Sequence, residues 1–280
     1  MQKRLPDYLK RPIIDTEKTK NVRRILKENC LNTVCENARC PNKNECYTCN
    51  TATFLIMGNV CTRNCRYCNI ACQKPEKLNL NEPLHIAKAV KDLGLKYAVI
   101  TSVTRDDLED GGAEHFANCI YEIRKLSPEV KVEILTPDFK GDKKSLDKII
   151  EADPAVFNHN IETVKALFKS ARPQGNYDVS LEVLKYVKES SSIITKSGLM
   201  VGLGESVQEI EETLFDLKSV GVDILTIGQY IQPSKKHLEV AKFYTPEEFA
   251  ELDKLALNVG FTHRQIGPLV RSSYRAAELV

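Results

Sequence analysis

The 280-residue sequence lacks any apolar run near the roughly 18 residues that a membrane-spanning helix requires. Its start, Met1–Lys10, has no apolar segment typical of a signal peptide, and Asp7, Asp15 and Glu17 argue against an organellar transit peptide. A net charge of +2 gives no overall case for nucleic-acid binding. These absences predict a cytoplasmic protein that has neither a membrane nor a nucleic acid as partner.

The sequence also lacks internal repeats, low-complexity tracts and linker-like stretches. Its five histidines are scattered and form no zinc or catalytic-triad pattern, although His159, at the end of an apolar run, is a candidate site residue. A hydrophobic content of 42% is enough for a substantial core. The length therefore fits one large α/β domain or two small ones.

Cysteine, in contrast, is abundant, with ten residues. In a reducing cytoplasm, clustered cysteines indicate metal binding more often than disulfides. Two clusters stand out: Cys35, Cys40 and Cys46, with four and then five residues between the thiols, and Cys61, Cys65 and Cys68, with three and then two. A four-iron cluster normally takes four cysteines, so a loop with three leaves one iron open to an outside ligand. The group formed by Cys61, Cys65 and Cys68 therefore predicts a catalytic iron-sulfur cluster.

A zinc ribbon is the main alternative for these cysteines. Two CxxC pairs, Cys46 with Cys49 and Cys65 with Cys68, are separated by 15 residues, which fits a site of four thiolates. The ribbon would leave three cysteines of the two clusters without a role: Cys35, Cys40 and Cys61. Cys119 lies in a helical pattern and is predicted to be buried. Cys30, Cys49 and Cys72 fall outside both spacings and are predicted not to be ligands.

Short apolar runs alternate with helical patterns from Thr53 onward. The predicted strands are Phe54–Met57, Tyr97–Thr101, Val130–Leu135, Ala155–Asn158, Gly198–Val201 and Ile224–Ile227. Helix boundaries are indicated by Gly94, by the capping box Ser206–Glu209 and by Thr245–Glu248. Strands that are each followed by a helix imply a parallel sheet covered by helices, either open or barrel-like. Its ligand site should lie at the carboxyl ends of the strands, where the second cysteine cluster begins.

The spacing of Cys61, Cys65 and Cys68, with Tyr67 before the last thiol, resembles the signature of the radical S-adenosylmethionine enzymes. Gly198–Glu205 resembles the glycine-rich fifth-strand motif of that superfamily. Other motifs resemble the lipoyl synthase family: Cys35–Cys46, Thr101–Asp107, Asp110–Ala113, His159–Thr163, Gly228–Pro233 and Arg271–Tyr274. The resemblance runs from about Cys35 to Ala276, nearly the whole chain.

The resemblance implies a partial (β/α)6 TIM-type barrel whose open face is capped by N- and C-terminal extensions. Residues 1–50 would carry the auxiliary cluster motif, residues 51–261 the barrel and residues 262–280 a serine ligand, all within one structural domain. Two 4Fe-4S clusters and S-adenosylmethionine are implied as cofactors. Cys61, Cys65 and Cys68 would hold the cluster that binds S-adenosylmethionine. Cys35, Cys40 and Cys46 would hold the auxiliary cluster, with Ser273 as fourth ligand and Ser272 as the second choice.

The resemblance also implies the reaction and its partners. Two sulfur atoms, donated by the auxiliary cluster, would be inserted at C6 and C8 of an octanoyl-lysine on the lipoyl domain of a 2-oxoacid dehydrogenase or on the glycine cleavage H protein. Ferredoxin or flavodoxin would supply electrons, and an iron-sulfur carrier would rebuild the spent cluster. The candidate cofactor contacts are Tyr67, Asn160, Glu162, Met200 and Glu205. A methylthiotransferase or biotin-synthase-like reaction remains an alternative that leaves Arg271–Tyr274 unexplained.

Overall fold

A computed structural model describes residues 4–12 and 14–280, and they divide into two compact units. The N-terminal unit is formed by Arg11–Arg63 and Ile70–Phe157. The C-terminal unit is formed by residues 4–10, Asn64–Asn69 and Asn158–Val280. Along the chain, the change from one unit to the other falls inside the second cysteine cluster, between Arg63 and Asn64.

The N-terminal unit contains a mostly parallel sheet with helices between its strands. Its strands are β1 Asn32–Thr33, β2 Thr53–Ile56, β3 Val60–Cys61, β4 Ala71–Cys72, β5 Tyr97–Ser102 and β6 Lys131–Leu135. Its helices are α1 Glu17–Glu28, α2 Val34–Asn37, α3 Lys43–Thr48, α4 Glu82–Asp92, α5 Ala113–Leu126 and α6 Lys143–Ala152. Strands β2, β5 and β6 run parallel in that order, β1 pairs antiparallel with β2, and β3 with β4 forms a separate short pair.

The first predicted helix shows how the sequence determines these elements. Helix α4 buries Ile86, Ala89 and Val90 completely, and their spacing is that of residues on one face of a helix. Gly94 follows with φ of +63°, and the Leu95 amide donates to the carbonyl oxygen of Val90. A positive φ is easy for glycine, so the helix ends where the sequence predicted.

Strand β7 Val156–Asn158 leads into the C-terminal unit, which repeats the alternation of strand and helix. The further strands are β8 Ile194–Val201, β9 Ile224–Gln229 and β10 His263–Gly267. The further helices are α7 Lys165–Ala171, α8 Tyr177–Ser190, α9 Val207–Ser219 and α10 Pro246–Val259. Strands β8, β9 and β10 are parallel, and every residue of β9 is buried, as expected for a parallel sheet covered on both faces.

Both predicted helix starts, at Ser206 and at Thr245, are confirmed, and each is a capping box. The Ser206 hydroxyl accepts from the Glu209 amide at the start of α9, and the Thr245 hydroxyl accepts from the Glu248 amide at the start of α10. In each box the glutamate carboxylate accepts from the amide of the capping residue in return. These reciprocal bonds satisfy amides that have no partner within the helix.

The strands differ from prediction where they carry polar residues. Strand β8 begins at Ile194, four residues before the predicted Gly198. The apolar pattern missed this start because Thr195, Lys196 and Ser197 are polar, although they are completely buried. Strand β10 was not predicted, since His263–Gly267 has almost no apolar residues. No helix in the described part of the chain is both long and apolar enough to cross a membrane.

Candidate functional site

The backbone turns sharply where it leaves β2 toward the second cysteine cluster. Met57 has φ of +65° and Gly58 has φ of +98°, and a positive φ is unusual for a residue with a side chain. A buried carboxylate holds this turn: Glu82 Oε2 lies 2.8 Å from the Met57 amide, which donates to it, and 2.7 Å from His115 Nε2. These contacts therefore fix the backbone of the turn that precedes Cys61.

Cys61 is half-buried, and two backbone amides point at its sulfur. The Arg63 amide donates to Cys61 Sγ at 3.4 Å and the Thr104 amide donates at 3.3 Å. Hydrogen bonds of this kind stabilise negative charge on a cysteine sulfur and tune the potential of an iron-sulfur cluster that it holds. In β3 Cys61 also pairs with Cys72 of β4, which is exposed.

Cys65 and Cys68 form a tight turn in the C-terminal unit. The Cys68 amide donates to the Cys65 carbonyl at 3.0 Å, and the Arg66 amide donates to the carbonyl of Ala171 at 2.9 Å. His237 Nε2 lies 2.9 Å from the Cys68 carbonyl oxygen. Sequence reasoning missed His237, because nothing in a single histidine indicates a contact 169 residues away.

Tyr67, between these two cysteines, is close to Glu162. Burial, together with the negative charge of Glu162, raises the pKa of Tyr67 well above its usual value. Burial also raises the pKa of Glu162, although Arg172 and Asn160 oppose that change. The structure thus places together two of the predicted cofactor contacts.

Asn160 and Glu162 follow β7 on an unusual backbone. Glu162 has φ of +71°, and it is held by β8, where its amide donates to Gly198 O at 2.9 Å and its carbonyl accepts from the Met200 amide at 2.8 Å. Asn160 Nδ2 lies 3.3 Å from Glu162 Oε1, and Arg172 donates to the Asn160 carbonyl. Asn160, Glu162 and Met200 are therefore grouped at the carboxyl end of β8, and their role as cofactor contacts stays a prediction.

Glu205 and His159 are both fixed by other parts of the chain. The two carboxylate oxygens of Glu205 accept from the amides of Gly202 and Leu203, so this side chain stabilises its own turn. His159 is buried, with Nε2 3.0 Å from Ser180 Oγ in α8. These contacts give both residues a positioning role within the C-terminal unit.

Arg271–Tyr274, the terminal motif, packs tightly on β9. A Cβ added to Gly228 would lie 2.1 Å from the Val270 carbonyl oxygen, so only glycine permits this approach. Ser272 Oγ donates to Asn160 Oδ1 at 2.7 Å. Ser273 is half-buried, and its hydroxyl forms no hydrogen bond with any other residue that the structure describes. Among the residues that the structure describes, the Ser272 hydroxyl therefore has a hydrogen-bond partner and the Ser273 hydroxyl has none.

Alanine at Gly228 should destabilise the chain and displace this motif. We expect a loss of about 1 to 3 kcal/mol, typical of overpacking, because the Val270 backbone must move. Gly267 provides the matched control, since a Cβ added there would lie 3.5 Å from Val270 Cγ2, an ordinary contact. Urea unfolding of Gly228→Ala and Gly267→Ala measures the difference, and equal midpoints for the two variants would contradict the packing.

Cys35, Cys40 and Cys46 are brought together by α2, α3 and the turn between them. The Cys40 amide donates to the Cys35 carbonyl at 3.1 Å. Burial, and then the charge of Cys40, raises the pKa of Cys35 to about 11. Burial, and then the charges of Cys35 and Cys40, raises the pKa of Cys46 to about 12. The charges of these thiols affect one another's pKa, as expected for neighbouring side chains, and all three belong to the N-terminal unit.

These pKa values predict how the iron-free thiols react with iodoacetamide. The thiolate is the nucleophile, and with a pKa of about 12 the thiolate fraction of Cys46 at pH 8 is about one in ten thousand. Alkylation of Cys46 should accelerate about tenfold per pH unit up to pH 10. A free cysteine peptide, with a pKa of about 8.5, should level off above pH 9. Peptide mapping by mass spectrometry measures both rates, and parallel profiles would contradict the shift.

The cysteine thiols are the groups that would hold an iron-sulfur cluster or a zinc ion. All ten cysteines are free thiols, and no disulfide competes for them. Among the described residues, no three Cys, His, Asp or Glu side chains are arranged to hold a single metal ion. Cysteine thiols are the usual ligands of iron-sulfur clusters, and the two amides that point at Cys61 Sγ would stabilise its thiolate form.

Solved structures of low sequence identity share the fold. Methylornithine synthase matches with a TM-score of 0.58 and 13% identity, over 87% of this chain and 70% of that one. SuiB of Streptococcus suis, bound to S-adenosylmethionine, matches with a TM-score of 0.56 and 15% identity, over 78% of this chain and 50% of that one. The profile of the radical SAM superfamily matches residues 55–217. The fold and the cysteine loop thus define a radical SAM enzyme, and the predicted fold class, an α/β partial barrel of the TIM type, is confirmed.

Sequence relatives narrow the class further. The lipoyl synthase of Rubrobacter xylanophilus is 53% identical over 98% of this chain and 85% of its own length. The lipoyl synthase of Caldicellulosiruptor saccharolyticus is 51% identical over 99% of this chain and 98% of its own. The chain belongs to the lipoyl synthase family. Its activity is therefore in lipoate biosynthesis by radical SAM chemistry, which uses S-adenosylmethionine and a 4Fe-4S cluster.

Proposed function

We propose that this protein inserts two sulfur atoms, at C6 and C8, into an octanoyl chain carried on a lysine of a lipoyl carrier protein. The sulfur would come from an auxiliary 4Fe-4S cluster, which makes the enzyme a sulfurtransferase. The observation that carries the proposal is a second set of neighbouring thiols, Cys35, Cys40 and Cys46, in addition to the radical SAM cysteines. A radical SAM enzyme that only cleaved its cofactor would not need this second set.

The radical cluster is proposed to be held by Cys61, Cys65 and Cys68. When bound, it supplies the electron that cleaves S-adenosylmethionine to methionine and a 5'-deoxyadenosyl radical. A radical is needed because no carboxylate or imidazole is a strong enough base to deprotonate an isolated methylene group. The protein's task is to orient the cofactor and exclude water. The proposed cofactor contacts are Asn160, Glu162 and Met200 at the end of β8, Tyr67 in the cysteine loop, and Glu205, which also fixes the adjoining turn.

The auxiliary cluster is proposed to be held by Cys35, Cys40 and Cys46, with Ser273 as the fourth ligand. Ser273 is favoured over Ser272 because the Ser272 hydroxyl already donates to Asn160. A hard oxygen ligand matches iron-sulfur chemistry less well than a thiolate does. This weaker ligand suits a cluster that gives up sulfur during turnover.

The partners follow from the same proposal. The carrier would be the lipoyl domain of a 2-oxoacid dehydrogenase or the glycine cleavage H protein, in its octanoylated form. Ferredoxin or flavodoxin would supply electrons, and an iron-sulfur carrier would restore the auxiliary cluster after each turnover. Residues 1–50, 51–261 and 262–280 are the proposed auxiliary-cluster, barrel and serine-ligand segments, and the reaction is proposed to take place in the cytoplasm.

Anaerobic reconstitution followed by turnover tests the proposal. The loaded protein should bind about eight iron atoms, four for each cluster. Supplied with S-adenosylmethionine, a reductant and an octanoyl-lysine peptide, it should give a peptide whose mass has increased by two sulfur atoms. A protein that binds iron and cleaves S-adenosylmethionine but leaves the peptide mass unchanged would contradict sulfur insertion.

A further inference from the structure

Arg63 is buried although it lies in the cysteine loop, between Cys61 and Cys65. Its side chain forms four hydrogen bonds, all to two carboxylates of the N-terminal unit. To Asp106, Nε donates at 2.7 Å and Nη2 at 2.9 Å; to Asp138, Nη1 donates at 2.6 Å and Nη2 at 2.7 Å. Both interactions are bidentate, which is the geometry that fixes a guanidinium most firmly.

The environment keeps this arginine charged. Burial by itself would lower the pKa of Arg63, but the carboxylates of Asp106 and Asp138 outweigh burial and raise it above its usual range. Removing one partner from a buried ion pair is strongly destabilising, because it leaves a charge uncompensated. The loop is therefore held in one position at Arg63.

The backbone beside Arg63 is bonded to the segment that follows β5. The Thr62 amide donates to the Thr104 carbonyl at 3.1 Å, and Thr62 Oγ1 donates to the same oxygen at 2.9 Å. The Asp106 amide donates to Thr62 Oγ1 at 3.0 Å in return. Two segments joined in this way each contribute one amide, from Arg63 and Thr104, to the sulfur of Cys61.

We infer that Arg63, Asp106 and Asp138 form a clamp that positions Cys61 Sγ and its two amide donors, and thereby sets the redox potential of the radical cluster. This inference rests on the proposed function only in taking Cys61 as a ligand of that cluster. Amide donors to a ligand sulfur favour the reduced cluster, which carries more negative charge. Arg63 is thus a positioning residue: it acts through the backbone of the loop.

Charge-conserving variants test the clamp, because a change of net charge would itself shift the potential. Arg63→Lys and Asp138→Glu keep every charge but break the bidentate geometry. Asp107→Glu is the matched control. Asp107 lies beside Asp106 in the segment that follows β5, and it forms a bidentate pair with Arg105 at 2.9 and 2.8 Å. That pair does not bond to Thr62 or Arg63. The holoenzyme of each variant is titrated with reductant while the electron paramagnetic resonance signal that responds to S-adenosylmethionine is followed.

The expected result is a lower potential in both clamp variants. Loss of about one charge-assisted hydrogen bond should lower the ratio of reduced to oxidised cluster about tenfold at a fixed solution potential. This corresponds to a fall of about 59 mV in the reduction potential of a one-electron couple. Iron content should stay at the wild-type level, and Asp107→Glu should titrate like the wild type. Wild-type potentials in both clamp variants would overturn the inference. An equal shift in Asp107→Glu would also overturn it, since any disturbance of the loop would then have the same effect.

A second measurement covers variants that do not bind iron. In the iron-free chain the clamp keeps Cys61 half-buried, so Arg63→Lys and Asp138→Glu should increase its alkylation rate several-fold relative to the exposed Cys72. An unchanged rate would overturn the inference. A failure of the proposed function looks different, because the wild type itself would then show no cluster signal that responds to S-adenosylmethionine.

Discussion

Replacing Cys68 with alanine is expected to abolish formation of 5'-deoxyadenosine. A three-cysteine loop has no spare ligand, so loss of one thiolate should remove the cluster that supplies the electron. The expected fall in the cleavage rate exceeds the roughly 10- to 100-fold losses that follow removal of a group supporting a metal ligand. Anaerobic turnover with dithionite, followed by chromatography of the nucleoside products, measures the effect.

Cys72→Ala is the matched control for this prediction. Cys72 trails Cys68 by four residues and pairs with Cys61 between β3 and β4, but it is exposed and outside the ligand spacing. It should cleave S-adenosylmethionine like the wild type. Full cleavage by Cys68→Ala would show that the loop does not carry the radical chemistry, whereas loss in both variants would add Cys72 to the site.

Replacing Cys35 with alanine is expected to separate the two halves of the reaction. The auxiliary cluster should be lost, and sulfur insertion should fall to the background of the assay. Formation of 5'-deoxyadenosine should continue without a sulfur-containing product, because Cys61, Cys65 and Cys68 remain intact. Cleavage product and peptide mass are measured in the same reaction mixture.

Cys119→Ala controls for loss of a buried sulfur atom. Both side chains are buried, with 6% of Cys35 and none of Cys119 exposed, so the packing cost should be similar. Cys119 lies inside α5 and has no predicted ligand role. This variant should keep both activities. If Cys35→Ala loses cleavage and insertion together while it remains folded, the two cysteine clusters do not have separate roles.

The sequence was sufficient where the signals are local. A capping box such as Ser206 with Glu209 places interacting groups three residues apart, and the structure contains this box and the helix start predicted at Thr245. The thiols of Cys35, Cys40 and Cys46 were grouped by their spacing, and after burial the charges of Cys35 and Cys40 contribute to the raised pKa of Cys46. Their role as ligands stays a prediction. Cys119 was predicted to be buried from helical periodicity, and it is.

The sequence was not sufficient where a contact joins distant segments. Arg63 reaches carboxylates 43 and 75 residues away, and no spacing rule indicates such a pair. The turn at Met57 depends on Glu82, whose position at the start of α4 resembles that of an ordinary solvent-exposed residue. Strand β10 escaped prediction because its polar composition conceals its place in the sheet.

The hydrogen bond from Ser272 to Asn160 has a consequence for the order of biosynthesis. The two residues are 112 positions apart, so Asn160 leaves the ribosome well before the group that fixes its side chain. A nascent chain that ends before Arg271 has Gly198 and Glu162 but not this bond. The side chain of Asn160, a proposed cofactor contact, therefore gains this hydrogen bond only after the segment with the proposed serine ligand has been synthesised.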